Sequence, residues 1–254
     1  MTIDNSIKNE TQIYAYIKAV DNQYFDSFIS EGEICMNTAN WFRDYEKNDD
    51  NIGDSGEGAI ATCGKDFTIS FADPILSYTS EADLNERMKN RDWSEPLKGV
   101  SLKIFDGRDA NIFSLYAITH NPTEGRKYTH KVSEKFLREF SNHRFVLILN
   151  PRIFINRIGE KLIEMGKKPY GSIVKYYPFD SLMRQNLSFF DKQDKYSYQN
   201  EYRIAFEESH PAMQIFQIGS LKDISMEIDL YKHCYQGNLW GLDLTIKLDK
   251  DKNE

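Results

Sequence analysis

Apolar and polar positions alternate over 12–18, QIYAYIK, which predicts a strand, and the spacing then changes, with Tyr24, Phe25, Phe28 and Ile29 recurring at helical intervals. Asp21 and Asn22 supply an N-cap for that helix, which runs to about Ser30 and ends at Glu31-Gly32. Glu33 to Asn37 reads as a second strand, and Thr38 can cap a short aromatic helix over 39–45. Further strands are expected over 59–62, 67–71, 75–78, 100–105, 112–118, 144–149, 172–177, 213–218, 224–228 and 240–246. Helices are expected over 132–140 and from Asn150-Pro151 to Met165, where the proline suits a first helical turn. The charged stretch 80–96 is expected to form a helix or lid-like excursion on the surface, and 247–254 a disordered tail. Many short strands with few helices and no regular βαβ alternation predict a single α+β domain over 1–246.

The most informative stretch is Tyr196 to Phe206. Tyr202, Ile204 and Phe206 alternate with Arg203 and Ala205, so a strand with one apolar face starts at Glu201. A carboxylate at a strand entrance is well placed to project into a cleft from an anchored backbone. Equally, Glu201 and Arg203 lie two apart on one face and would make a half-exposed ion pair on an edge strand. Polar side chains are also threaded through 111–120: Asn111, Ser114, Tyr116 and His120 must be satisfied internally or offered to a ligand.

Composition narrows the picture. With 254 residues, including 15 Tyr, 16 Phe and 3 Trp, the chain can bury a sizeable core, and disorder is excluded. No apolar run approaches the ~20 residues of a membrane helix, and the first residues lack a signal-peptide layout, so a cytoplasmic protein without a membrane partner is expected. Cys35, Cys63 and Cys234 have no zinc-like or disulfide spacing and read as reduced core residues. The net charge of −7 is unevenly spread: residues 1–60 hold 12 acids and 4 bases, whereas 124–175 hold 12 bases and 5 acids. The basic segment is a candidate contact for an anionic ligand or a nucleic-acid acceptor, or else a set of solvated helix faces. The acidic, glycine-rich stretch 46–58 is expected to be a loop, either a mobile surface turn or a ligand-ordered one; Asp54 and Glu57 alone make a weak case for a metal, and none is expected.

Two stretches carry a family resemblance. Ile13-Tyr14-Ala15-Tyr16-Ile17, then Asp21-Asn22, Phe25, Phe28 to Ile34 and Asn37, resembles the first strand, helix with terminal glycine and second strand of the ADP-ribosyltransferase superfamily. Phe190-Asp191-Lys192 followed by Tyr198-Gln199-Asn200-Glu201-Tyr202-Arg203-Ile204 resembles its catalytic strand, in the neighbourhood of DarT-like toxins and of bacterial proteins with an F-x-K…E-x-R signature. The resemblance covers under a third of the chain, and strand one lacks the His or Arg usual in that family. It implies a split, mostly antiparallel mixed β core flanked by short helices, with NAD+ as a substrate in a cleft between two sheets. It further implies a catalytic Glu201, a nicotinamide end near Tyr14 and Tyr16, and a toxin or phage-defence role. Tyr196 or Tyr198 would pack beside the nicotinamide; Asn37, Ser114, Tyr116 and Arg203 complete the candidate set, and Arg43 or the basic segment would hold the pyrophosphate. The acceptor, nucleic acid or protein, stays open. The competing readings are a non-catalytic nucleotide- or protein-binding module and, third, a metal-dependent nuclease drawing on Asp54 and Glu57.

Overall fold

The computed structural model describes residues 12–45, 54–64, 101–120, 127–180, 184–228 and 243–247. They form a mixed α+β structure built on one eight-stranded sheet, with short helices packed on it. Its axis is β5 (Ala110–His120), the longest strand, which is paired along most of its length. On one side β5 pairs antiparallel with β12 (Glu201–Glu207), which pairs in turn with β8 (Tyr170–Ile173). On its other side β5 has two neighbours in succession. β2 (Glu33–Thr38) takes Asn111 and Ile112, whereas β1 (Gln12–Asp21) takes Tyr116 to His120. β2 leads out to β13 (Gln214–Gln217), and β1 to β7 (His143–Ile148) and β14 (Ser225–Ile228). The sheet therefore forks along β5, and Ser114 sits where the two branches part.

One face of this sheet carries the main core. Tyr16 and Val20 of β1, Ile34 and Met36 of β2, Phe113 and Leu115 of β5, and Tyr202, Ile204 and Phe206 of β12 pack there with Phe154, Ile158 and Leu162. The last three belong to α4 (Pro151–Glu164), whose start follows the local sequence closely: Asn150 Oδ1 accepts from the Ile153 amide, and Pro151 opens the helix. On the same face α1 (Phe25–Glu31) buries Phe25 and Phe28. It stops at Gly32, whose φ of 64° is left-handed and whose amide donates to Phe28 O at 3.1 Å.

Among the described residues, helices cover the other face at its two ends. Under the β1 branch, α3 (Glu134–Glu139) packs Phe136 and Leu137 on Ala15, Ile17, Tyr116 and Ile118. Under the β2 branch, α2 (Ala39–Tyr45) packs Ala39 and Phe42 with Ile112, Ala205 and Phe189. Between these two apolar patches the sheet is polar. Smaller sheets lie beside it: β3 (Ala61–Cys63) between β4 (Leu102–Ile104) and β10 (Arg184–Gln185), β9 (Lys175–Tyr177) parallel to β11 (Asp191–Gln193), and β6 (Lys127–Lys131) antiparallel to β15 (Asp243–Lys247). Among the described residues no helix is long and apolar enough to cross a membrane.

Several expectations change. The helix after β1 begins as a 3-10 turn over Asn22–Tyr24, with the Asp21 carboxylate accepting from the Gln23 amide. The strand expected over 172–177 is two, because Val174 turns its amide to Glu201 O at 2.8 Å between β8 and β9. Lys247, expected in the tail, pairs with Lys127 at the end of β15. Cys35 is exposed on β2 and so is not a core residue, whereas Cys63 is buried. Glu201 and Arg203 do not sit on an edge: β12 is flanked on both sides and buried on both faces. The strands expected over 67–71 and 75–78, the excursion at 80–96, residues 46–53 and 248–254, and Cys234 lie outside the described residues.

Candidate functional site

Asn200 sets the entry to the site. Its φ of 38° is in the left-handed region that Asn tolerates, and its side-chain amide donates to Ala117 O at 2.6 Å. This kink closes the 3-10 turn Asp194–Gln199 and starts β12 with Glu201 opposite Tyr116 on the polar face. Arg203 comes next on that face, opposite Ser114. From there the guanidinium reaches four acceptors. Nε donates to Glu201 Oε1 at 2.8 Å, Nη1 to Glu57 Oε1 at 2.8 Å and Phe189 O at 2.6 Å, and Nη2 to Glu57 Oε2 at 2.7 Å. Lys192 of β11 donates to Glu201 Oε2 at 3.3 Å and to Gln199 Oε1 at 2.8 Å. Glu57, Lys192, Glu201 and Arg203 are each at most 5% exposed, so this network is a fully desolvated one.

Charges this deep stand only when paired. Burial pushes the Glu201 carboxyl upward, but Arg203, Lys192 and a hydrogen bond from Ser114 outweigh it and hold it at about 2. Burial also pushes Glu57 up, while Arg203 opposes the rise. The bidentate geometry at 2.7 and 2.8 Å is that of an ionised carboxylate, and we read Glu57 as the counter-charge that lets Arg203 serve two acids. Two acids and two cations then balance, and Glu201 keeps its charge beside the cleft.

The cleft lies on the polar face at the fork and encloses about 650 Å³, within the usual range for small-molecule sites. Its floor is Ser114, Tyr116, Glu201 and Arg203, with Asn37 and Cys35 from β2 and Ile17 and Lys18 from β1. Aromatic walls come from α2, with Trp41, Phe42 and Tyr45 on one side, and from α3 and the residue that caps it, with Phe136 and Phe140 on the other. Trp41 stacks on Tyr45 with centroids 4.5 Å apart. Tyr116 turns its hydroxyl away to His130 Nε2 at 2.9 Å.

Five of the expected residues, Asn37, Ser114, Tyr116, Glu201 and Arg203, meet in this cleft. The others do not line it. Tyr16 faces the main core and packs on Tyr202 at 5.2 Å, because alternation along β1 turns it to the opposite side. Tyr14, at a register shift in β1, bonds Gln12 instead. Tyr196 is buried beneath Lys192, and Tyr198 lies under Lys135. Arg43 stacks on Phe105 and donates to Glu57 O, outside the cleft wall. In the basic segment, Lys135, Arg138, Arg144, Arg157, Lys161 and Lys167 pair with nearby acids. Asn111 turns into the fold, where its amide nitrogen donates to Met36 O and Ala212 O, while its buried Oδ1 has no partner among the described residues.

The sequence reading names Glu57 only as a metal candidate beside Asp54, not as the partner of Arg203, and it misses Lys18, Gln199 and, as a site member, Lys192. Asp54 and Glu57 are buried in a packed turn: the Asp54 carboxylate accepts from the Gly56 amide, and Glu57 holds Arg203. Among the described residues no third metal-ligating side chain joins them. Lys192 was visible through its place in the F-x-K…E-x-R pattern, whose Lys192, Glu201 and Arg203 the structure joins in one network. The glycine-rich stretch drew attention to Glu57 but nothing local tied it to Arg203, and Lys18 had no local signal.

No family model, no curated protein and no solved structure matches the chain.

Proposed function

We propose that the protein is an NAD+-consuming ADP-ribosyltransferase with Glu201 as its catalytic carboxylate. The observation that supports this reading is a carboxylate kept ionised on the floor of an aromatic-walled cleft at a sheet fork. Breaking the nicotinamide–ribose bond builds positive charge on the ribose, which an ionised acid in a water-poor site stabilises. Trp41 and Tyr45 offer rings for stacking at the cleft wall. The macromolecular acceptor and a role as a toxin or defence effector belong to the same proposal, as does the ADP-ribosyltransferase-like identity of the fork. The test is release of labelled nicotinamide from NAD+ by the full chain with a cell extract as acceptor source. Wild type is expected to turn over and Glu201→Gln to lose about 10²- to 10³-fold, the size of losing one charge-stabilising group. A wild-type rate in the folded variant overturns the assignment.

One observation favours the second reading, a binding module without turnover. Both oxygens of Glu201 are already engaged, one by Arg203 and one by Lys192. Saturable NAD+ binding with no nicotinamide release would establish it.

A further inference from the structure

Among the described residues three cations line the cleft, and two are paired with carboxylates. Arg203 is divided between Glu201, Glu57 and Phe189 O, and Lys192 between Glu201 and Gln199. Lys18 differs. Its Nζ donates once, to Ser114 O at 2.9 Å, and among the described residues it has no carboxylate within ion-pair distance. An ammonium has three donors, so two remain for something in the cleft.

The fork explains why the group stands there. β2 ends its pairing with β5 at Ile112, and β1 begins its own at Tyr116, so the Ser114 carbonyl lies between the branches with neither strand opposite it. A part-buried carbonyl left without a strand partner needs a donor, and Lys18 reaches in from the departing strand to supply one. The Phe113 ring, 4.4 Å from Nζ, steadies the ammonium. The charge is thereby fixed in place by the backbone it satisfies. Burial also pulls the Lys18 amine down to about 8, against the attraction of Glu201 and Cys35, so the folded protein carries a cation that would gain from an anion.

We propose that Lys18 is the phosphate-binding group of the cleft, and that the ligand is a phosphate-bearing nucleotide. Lysine engages phosphate as a point charge, whereas planar carboxylate recognition favours an Arg fork, and the Arg203 fork is already filled. The stacked Trp41 and Tyr45 supply a surface for the ligand's planar ring. The proposal rests on the cleft being the ligand site and does not require a bond to be broken there.

The experiment is calorimetric titration of the full chain with ADP, inorganic pyrophosphate and uncharged adenosine. Lys18→Met removes the charge, and Lys18→Gln removes it while keeping a donor for Ser114 O. Both variants are expected to bind ADP and pyrophosphate about tenfold or more weakly and adenosine as wild type does, with Lys18→Arg closer to wild type. ADP affinity unchanged in both neutral variants overturns the proposal, as does failure of ADP and pyrophosphate to bind wild type. ADP binding that depends on Lys18, found in a protein that never cleaves NAD+, supports this inference and sinks only the transferase reading.

Discussion

Replacing Glu57 by Gln tests whether the buried network holds the fold together as its geometry implies. The perturbation keeps size and shape but removes the charge facing Arg203, whose guanidinium then keeps Glu201 and the Phe189 carbonyl as partners. Both side chains of the pair are 2% exposed, so solvent cannot step in. Removing one partner of such a pair costs about 3–5 kcal/mol, and because Gln can still accept one hydrogen bond the lower end applies, roughly 3 kcal/mol. For a chain of this length each kcal/mol moves the melting temperature by about 2–4 °C, so a drop of roughly 6–12 °C is expected. The assay is thermal unfolding of Glu57→Gln, Arg203→Met and the double variant. Removing both members is expected to cost less than the two single losses together by more than about 1 kcal/mol, beyond the ~0.5 kcal/mol scatter of independent sites. A melting temperature within 2 °C of wild type for Glu57→Gln, or strict additivity in the double variant, refutes the reasoning.

The remaining predictions concern acid stability and backbone geometry. Glu201 falls from 4.5 to about 2 on folding, so it contributes stability that is full above about pH 4.5 and lost as pH drops through 2, roughly 3 kcal/mol in all. Denaturant unfolding from pH 6 to 2 should therefore show a steeper acid loss in wild type than in Glu201→Gln; Glu57, pushed the other way, is common to both, and parallel curves would contradict the assignment. Gly32→Ala should destabilise far more than Gly166→Ala, although both have positive φ, because a Cβ at Gly32 would meet Gly219 O at 2.2 Å whereas one at Gly166 meets nothing within 4 Å. Equal urea midpoints for the two variants would show that the left-handed strain of about 1–2 kcal/mol is the whole effect.

Much of the architecture was determined locally. The Gly32 stop, the Thr38 hydroxyl accepting from the Trp41 amide and the Asn150-Pro151 start all depend on residues a few positions apart. The same holds for the strand from Glu201, since apolar alternation needs only the side chains that produce it. What sequence alone left undecided was the second face of that strand. Polar Arg203 reads as solvent-facing by pattern, yet it is buried, because its charge is met by Glu57, 146 positions away. Lys18 looked like one more polar position in an alternating strand until the divergence of β1 from β2 left the Ser114 carbonyl, 96 positions on, for it to satisfy. Tyr16 shows the converse: its place in the first strand was right, but the pleat that turns it into the core also turns it from the cleft. A short-range pattern specifies which residues share a face. Only the folded sheet decides which face becomes a cleft and which distant charges close over it.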